Sequence, residues 1–462
     1  MAKILTFSQD IDEIISIGNW AEIQKALAKI IDYHEKTLLP HYQKMEEYFQ
    51  ADTDILDRTR EDESQPNNRL VNDYAGYITS VGAGYFIGTP VKYTVDEKYK
   101  KELEEIQDIL DKNDEQVENL YLATESGHKG TTFELVYQNE EAKTRFKELD
   151  AKQTVMIYDD KIDSEPLFAV RYYTSGDVMA DANDKTKHVE VYTSQYNLKL
   201  IMKDGKISGD VEVTENPFKE VQVIEYPNNK YRRGDFENVI TLIDGYDKTA
   251  SDEMNDIEYF SDAYLILKNL GGTEDDDIDD MKKNRIIYIE GDGDAKFLLK
   301  DGNSEKVENM KDTLNENIHK FSQTPDLRDE NFANNVSGVA MKYKLWGLEQ
   351  KTTFKESAFK KALQKRLKLI TNIMNIRKAE GEGFDYSYIN ISFSRSLPVN
   401  WSEILEMVKG LQGFISDRTL MSYIPDITDV DYEISMKEKD IDNQGFKVDP
   451  YNVTSLPLTE EE

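Results

Sequence analysis

Apolar residues recur at helical spacing through the first part of this chain, alternate through its middle, and return to helical spacing towards its end. In residues 20–39, Ala21, Ile23, Leu27, Ile30 and Ile31 mark one face of a helix. Pro40 predicts the end of that helix or a kink, because proline lacks an N–H and its ring crowds the preceding turn. Residues 64–68 (SQPNN) signal a loop. Leu70, Tyr74, Tyr77, Ile78 and Val81 then recur at three and four, which predicts a buried helix closed by glycines near Gly88. Thr89-Pro90 blocks continuation and leads into a short strand over 91–94. Residues 100–119 read as a charged helix.

Between 131 and 226 the period changes. Segments 133–137, 154–158, 167–173, 188–193 and 198–202 are short and rich in β-branched or aromatic residues, and Asp204-Gly205 is a hairpin signal. After 227–229 (PNN) the chain turns helical again, with Asp235 placed to cap the start. Met254, Ile257, Phe260, Tyr264 and Leu267 predict a helix over 252–270, ended by Gly271-Gly272. A small acidic insert follows, with strands expected at 285–290 and 296–299. Val307, Met310, Leu314, Ile318 and Phe321 predict a second helix over 305–321. Antiparallel pairing of these two helices, each about 25 Å long, would hold the insert at the end of a stalk.

Residues 323–337 (QTPDLRDENFANNVS) show no apolar period and read as a loop. The longest helical pattern runs over 338–378, about 60 Å if unbroken. A strand is expected at 386–394 and helices at 402–423 and 431–440. The tail 441–462 is polar and acid-ended and reads as disordered. The fold class is therefore α+β, predominantly helical.

Charge and chemistry narrow the function. Lys and Arg number 57 against 90 Asp and Glu, a net −33. A protein that grips nucleic acid or an anionic membrane carries the opposite sign, since phosphate affinity comes from Lys and Arg. The exception is the long helix. Lys342, Lys344, Lys351, Lys355, Lys360, Lys361, Lys365, Arg366, Lys368, Arg377 and Lys378 there oppose only Glu349 and Glu356. Either acidic neighbours pair with it or it meets a polyanion. With no cysteine in the chain, disulfides, Cys-ligated metal and thiol catalysis are excluded. No two of His34, His41, His128, His188 and His319 stand at i, i+4, so no metal face arises from them. No phosphate-binding GxxxxGK[ST] and no GxSxG elbow occurs, and Gly82, Gly84 and Gly88 miss the dinucleotide spacing. The acidic run 274–280 (EDDDIDD) lacks the Gly and Glu an EF-hand needs and reads as a solvated loop. The start MAKILTFSQDIDEIIS has no apolar signal core and no run is long enough to span a membrane, so a soluble, unexported chain without cofactors is expected.

Four stretches, in order, resemble the portal proteins of tailed bacteriophages, in the branch typical of long-tailed phages of Gram-positive hosts. They are 68–90 (NRLVNDYAGYITSVGAGYFIGTP), 223–268 (from VIEYPNNKYRRGDFENVITLIDGYDK), 337–350 (SGVAMKYKLWGLEQ) and 397–420 (LPVNWSEILEMVKGLQGFISDRTL). The resemblance implies a structural, non-enzymatic virion protein. Its copies would close into a ring, commonly dodecameric, at one capsid vertex, with assembly in the host cytoplasm. Double-stranded DNA would pass through irrespective of sequence, driven by a separate terminase. It also implies a layout: an N-terminal and β-rich wing at 1–250, stem helices at 251–270 and 304–323, and a clip at 271–303. A tunnel loop at 324–337, a long wing helix and strand at 338–398, crown helices at 399–440 and the tail 441–462 complete it. In such a layout Arg328, Asn331, Asn334 and Asn335 are candidates to meet DNA. Asp275, Asp276, Asp277, Asp292 and Asp294 are candidates to meet partners at the clip. Expected partners are the terminase large subunit, head-completion or adaptor proteins, and the major capsid and scaffolding proteins. Two rivals stand beside this reading. One is another structural or adaptor protein of a virion. The other is a metal-dependent acid-rich hydrolase with Asp292 and Asp294 as ligands, although these two also suit a tight turn between strands.

Overall fold

The computed structural model describes residues 4–62, 65–174, 186–261, 264–268, 294–298, 304–327, 338–376, 378, 383–396, 401–424, 427 and 430–443. It begins with a short strand, β1 (Leu5–Thr6), and helix α1 (Ile11–Ser16), where the Asp10 carboxylate accepts from the N–H groups of Asp12 and Glu13. Helix α2 (Trp20–Tyr33) follows, with Asn19 at its N-cap. The expected end at Pro40 does not occur. The helix widens into a π-helical turn over His34–Leu38 and continues as α3 (Leu39–Phe49). Pro40 thereby falls in the first turn of α3, where a missing N–H costs little.

Helix α4 (Tyr74–Ile87), capped by Asp73, is buried over most of its length, and β2 (Lys92–Thr94) follows it. The single charged helix expected at 100–119 is two helices. α5 (Lys100–Asp111) stops, Asp114 takes a left-handed φ of 51°, and α6 (Glu115–Lys129) runs on to Gly130. The β-rich block holds β3 (Thr131–Gln138), β4 (Thr144–Leu149), β5 (Thr154–Tyr158), β6 (Pro166–Thr174), β7 (Lys187–Thr193), β8 (Tyr196–Lys203), β9 (Lys206–Ile207), β10 (Glu212–Glu215) and β11 (Val223–Pro227). One seven-stranded sheet has the order β1-β5-β6-β7-β8-β10 with β9 on β8, and a second runs β11-β3-β4. Asp204 and Gly205, both at positive φ, make the β8–β9 turn that the sequence announces.

The helical stretch expected after Asp235 and the helix expected over 252–270 are one helix, α7 (Ile240–Ser261), which begins beyond Asp235 and ends before 270. The segment Tyr264–Lys268, expected as the end of that helix, is strand β12, paired antiparallel with β13 (Asp294–Leu298). A short apolar run such as YLILK suits either state, and a partner strand decides it. The next elements are α8 (Ser304–Ser322), α9 (Gly338–Lys344), α10 (Trp346–Ile376), β14 (Asn390–Ser392), α11 (Trp401–Leu411), α12 (Asp417–Ser422) and α13 (Val430–Asn443). The long helix is thus interrupted at Leu345, and its second part spans about 46 Å over 31 residues. The strand expected at 386–394 shrinks to β14, paired with β2, after a 3-10 turn at Tyr386–Tyr388. The helix expected at 402–423 is split near Gly413, whose φ is 89°. The strand expected at 285–290 lies outside the described residues, as does most of the tail expected at 441–462; its first three residues are not disordered but continue α13 to Asn443.

The chain divides into two compact units, Met1–Asp329 with Lys344–Ser396, and Glu330–Tyr343 with Leu397–Glu462. In the second, Ser416 caps α12 and Lys437 reaches Asp417 at 2.9 Å, tying α13 to α12. The first holds three cores. Ile23, Leu27 and Ile31 of α2 lie on Ile157, Phe168, Val170 and Val191 of the large sheet. Phe86, Ile106, Leu122, Phe146 and Tyr226 surround Phe359, Leu363, Leu367 and Ile370 of α10. Met45, Tyr48, Ile78, Phe236, Val239 and Ile243 pack with Ile318 of α8. Each such side chain contributes about 1.5–3 kcal/mol by leaving water, so this unit has the means to be a rigid body.

Candidate functional site

The architectural feature with the clearest consequence is the helical hairpin α7–α8. Asn238 donates through Nδ2 to the Phe321 carbonyl at 2.7 Å, Gly245 faces Leu314, and Lys311 pairs with Glu253 at 2.7 Å. Rising residue numbers on one helix meet falling numbers on the other, so the pair is antiparallel, as the periodicity predicts. In sequence the paired strands β12 and β13 follow α7 and precede α8, with residues 269–293 between them.

The other end of the hairpin is anchored in the core that holds Ile243 and Ile318, and there the chain leaves α8. Gln323 leaves α8 at a left-handed φ of 57°. The Thr324 N–H donates back to the His319 carbonyl at 3.1 Å, while the His319 ring lies 3.0 Å from the Thr324 carbonyl. Tyr77 of α4 then grips the chain twice. Its hydroxyl donates to the Pro325 carbonyl at 2.8 Å and accepts from the Leu327 N–H at 3.0 Å. The loop base is therefore held by a buried helix rather than by solvent-exposed contacts.

Beneath it lies a charge cluster that sequence reasoning missed. Asp235, expected as a helix cap, lies upstream of α7 and is buried instead. It pairs with Lys351 at 3.1 Å and with Lys355 at 3.3 Å, and accepts from Asn228 at 3.0 Å. Lys351 also donates to the Ser322 carbonyl at 3.2 Å, and Lys355 to the Ala123 carbonyl at 3.1 Å. Burial alone would raise the Asp235 carboxyl, but the two ammonium groups outweigh it and hold its pKa at about 2. Burial lowers the pKa of Lys355, and Asp235 opposes that only in part. One aspartate thus ties α6, α10 and the end of α8 together. The backbones here approach closely: Gly130, at φ +85°, faces the Arg232 carbonyl and Gly234 faces the His128 carbonyl, with no room for a Cβ at either.

Part of the basic run of the long helix is explained in the same terms. Arg366, fully buried on α10, makes a bidentate pair with Glu134 at 2.9 and 2.6 Å and reaches Glu115 at 3.1 Å. Its guanidinium stacks 4.4 Å from the Phe146 ring centre, and Tyr226 donates to Glu134 at 2.9 Å. Lys368 pairs with Glu220 at 2.5 Å and Lys378 with Glu102 at 3.7 Å. Of the two readings of this helix, acidic neighbours account for these five cations.

The proposed contact residues fare differently. Arg328, Asn331, Asn334 and Asn335 lie outside the described residues, as do Asp275, Asp276, Asp277 and Asp292. Asp294 is placed only by its backbone, opening β13 opposite Lys268, so it belongs to a strand and not to a tight turn. Among the described residues no group of three or more His, Asp or Glu is arranged to hold a metal ion. No described helix is long and apolar enough to cross a membrane.

A helical stalk closed by a small β ladder, with a loop clamped at its base, is the subunit plan of a connector. The family described as phage portal protein, SPP1 Gp6-like, matches residues 28–445, and the chain belongs to that family. The portal protein of Bacillus phage SPP1 is 23% identical over 472 aligned residues, covering 94% of this chain and 90% of the relative. The portal protein of Clostridium phage phiCD119 is 24% identical over 410, covering 84% of this chain and 88% of the relative. A solved structure titled "Neck of empty GTA particle computed with C6 symmetry" aligns with a TM-score of 0.43 at 12% identity, covering 75% of this chain and 88% of that one. The chain is a bacteriophage portal protein, the connector of head and tail, and a structural component of the virion rather than an enzyme. Both named relatives come from phages of Gram-positive hosts, as the resemblance implied.

Proposed function

We propose that copies of this chain close into a ring, dodecameric in the virion, at a single capsid vertex. Double-stranded DNA enters and later leaves through its bore, irrespective of sequence. The hairpin α7–α8 is the stem of that ring, and 262–303 with the β12–β13 ladder is its clip. Terminase docks there during packaging in the host cytoplasm, and head-completion proteins replace it. Scaffolding and major capsid proteins surround the rest. The loop 324–337 faces the DNA, with Arg328, Asn331, Asn334 and Asn335 as transient contacts. Asp275, Asp276, Asp277, Asp292 and Asp294 serve the docking end.

The observation that carries this reading is the antiparallel hairpin with its buried loop base, in a chain of the portal family. Electrostatics supports it. A conduit must let phosphates pass without holding them, and a chain of net −33 repels DNA at short range while salt screens it beyond about 10 Å. Electron microscopy of the purified protein is the test, with rings and a central hole as the expected view. A strictly monomeric scattering mass at every concentration, with absence from finished virions, overturns it. For the loop, Arg328→Glu should slow packaging, and packaging at full rate removes that residue from the channel.

A further inference from the structure

The large sheet of the first unit has a free edge at β1. That strand lies at one end of the order β1-β5-β6-β7-β8-β10, and among the described residues no strand pairs with its other side. Its register sets Thr6 opposite Tyr158, and the Phe7 N–H donates to the Tyr158 carbonyl at 2.9 Å. Successive residues of a strand turn their backbone groups to opposite sides. Leu5 and Phe7 therefore turn towards β5, and the Thr6 N–H and C=O point away from the sheet. Ile4, Thr6 and Ser8 are exposed. An edge of this kind is a template for one more strand.

A groove runs beside that edge. A cavity of about 380 Å³ lies between β1 and α2. Its floor is largely apolar, with Leu5 and Phe7 from the strand and Ala26, Ile30 and Tyr33 from the helix. The Phe7 ring is held by an edge-on contact with Phe168, 5.7 Å between centres. The rim is basic. Lys25 and Lys29, one turn apart on α2, line the groove and are exposed, and no carboxylate pairs with either among the described residues. Further along, by contrast, Lys36 pairs with Asp32 at 2.6 Å. Glu22 is the one acidic residue lining the groove, so positive charge prevails there in a chain of net −33.

We propose that β1 and α2 form a docking groove for an extended segment of a partner protein, acidic and with apolar residues at alternate positions. The segment adds to the sheet as a strand beside β1 and pairs with the Thr6 N–H and C=O. Its side chains then alternate between the two faces, and those on the α2 side seat on Ala26, Ile30 and Tyr33. Its carboxylates meet Lys25 and Lys29. Two unpaired ammonium groups attract an acidic segment and repel a basic one. An extended segment fits better than a helix, because a helix has already spent its backbone donors and acceptors on itself. The groove shares no residue with the hairpin or the loop base, so the proposal stands apart from the ring.

The test uses the full chain and a short fluorescein-labelled peptide of alternating valine and glutamate, with a valine–lysine peptide as control, read by fluorescence anisotropy. Saturable binding of the valine–glutamate peptide and none of the control is the expected result. Lys25→Glu combined with Lys29→Glu should weaken binding about tenfold or more. Thr6→Pro should weaken it at least as much. The Thr6 N–H makes no bond to β5, and proline is tolerated where an edge strand turns its N–H outward, so the fold should survive. Unfolding midpoints check both variants, and should Thr6→Pro fail to fold, the lysine variant decides. No binding of the valine–glutamate peptide, or equal binding of the control, overturns the proposal. So does binding that either folded variant leaves unchanged. Self-association of the wild type that the lysine variant abolishes shows a second copy as the occupant and overturns the partner reading.

Discussion

Charge is handled in opposite ways by two regions of the first unit. Around α10 the ionised groups are buried and paired: Arg366 with Glu134, and Asp235 with Lys351 and Lys355. On the α7–α8 hairpin Asp247 is likewise buried, but Glu258, Asp312, Glu316 and Lys320 are exposed, and Met254 and Met310 are about half exposed. A buried pair contributes little net stability, because desolvation offsets its attraction, yet it penalises every arrangement that separates the partners. That suits a body that must keep the loop base in place. An exposed apolar row contributes nothing until something covers it, which suits a surface that works only in an assembly. Buried pairing and exposed apolar surface are assigned to different residues.

Breaking the first region should cost most. Arg366→Met leaves Glu134 buried without its partner and should destabilise the folded chain by about 3–5 kcal/mol, measured by urea unfolding. Next comes the clamp. Lys355→Met leaves Asp235 with Lys351 alone and should cost about 2–3 kcal/mol. The pH dependence of the wild type sharpens the point. Asp235 has a folded pKa of about 2, below its unfolded value near 4. Its contribution is present above pH ~4 and is lost as pH falls through about 2. Asp235→Asn should flatten that part of the acid-unfolding curve.

Glu148 supplies a smaller effect of opposite sign. Burial pushes its carboxyl up to about 7, with a hydrogen bond from Thr132 opposing. A raised carboxyl pKa favours folding below the unfolded value near 4.3, and that advantage is lost as pH rises through about 7. Glu148→Gln should therefore stabilise by about 1–3 kcal/mol at pH 8 and by almost nothing at pH ~4, compared through unfolding midpoints. Smallest is Met254→Lys at a half-exposed position, within about 0.5 kcal/mol of wild type. A large loss of monomer stability there would erase the distinction between the two regions.

Much of this was legible beforehand. The spacing of Val307, Met310, Leu314 and Ile318 located α8 to within a residue, and Asp204-Gly205 placed its turn, because local chemistry determines both. The alternating segments of the β-rich block were found for the same reason. Where reading failed, a distant partner made the choice. Tyr264–Lys268 continues a helical pattern but pairs with Asp294–Leu298. Asp235 has the local look of a cap, yet lysines more than a hundred positions away claim it. Pro40 should break a helix, and the chain accommodates it by a wider turn in front of α3. The cations of α10 could be counted but not assigned, since whether a lysine faces a carboxylate or water depends on which helix lies beside it.

The amino-acid sequence by itself determined the α+β class, the helical patterns of α8 and α10, and the acidic balance of the chain. Periodicity, turn residues and net charge are properties of neighbours along the chain. The tertiary structure alone decided which charges are buried as pairs, which helix face stays bare, and how the loop base is held. Those depend on groups brought together from remote positions, where desolvation and geometry, not local propensity, set the free energy.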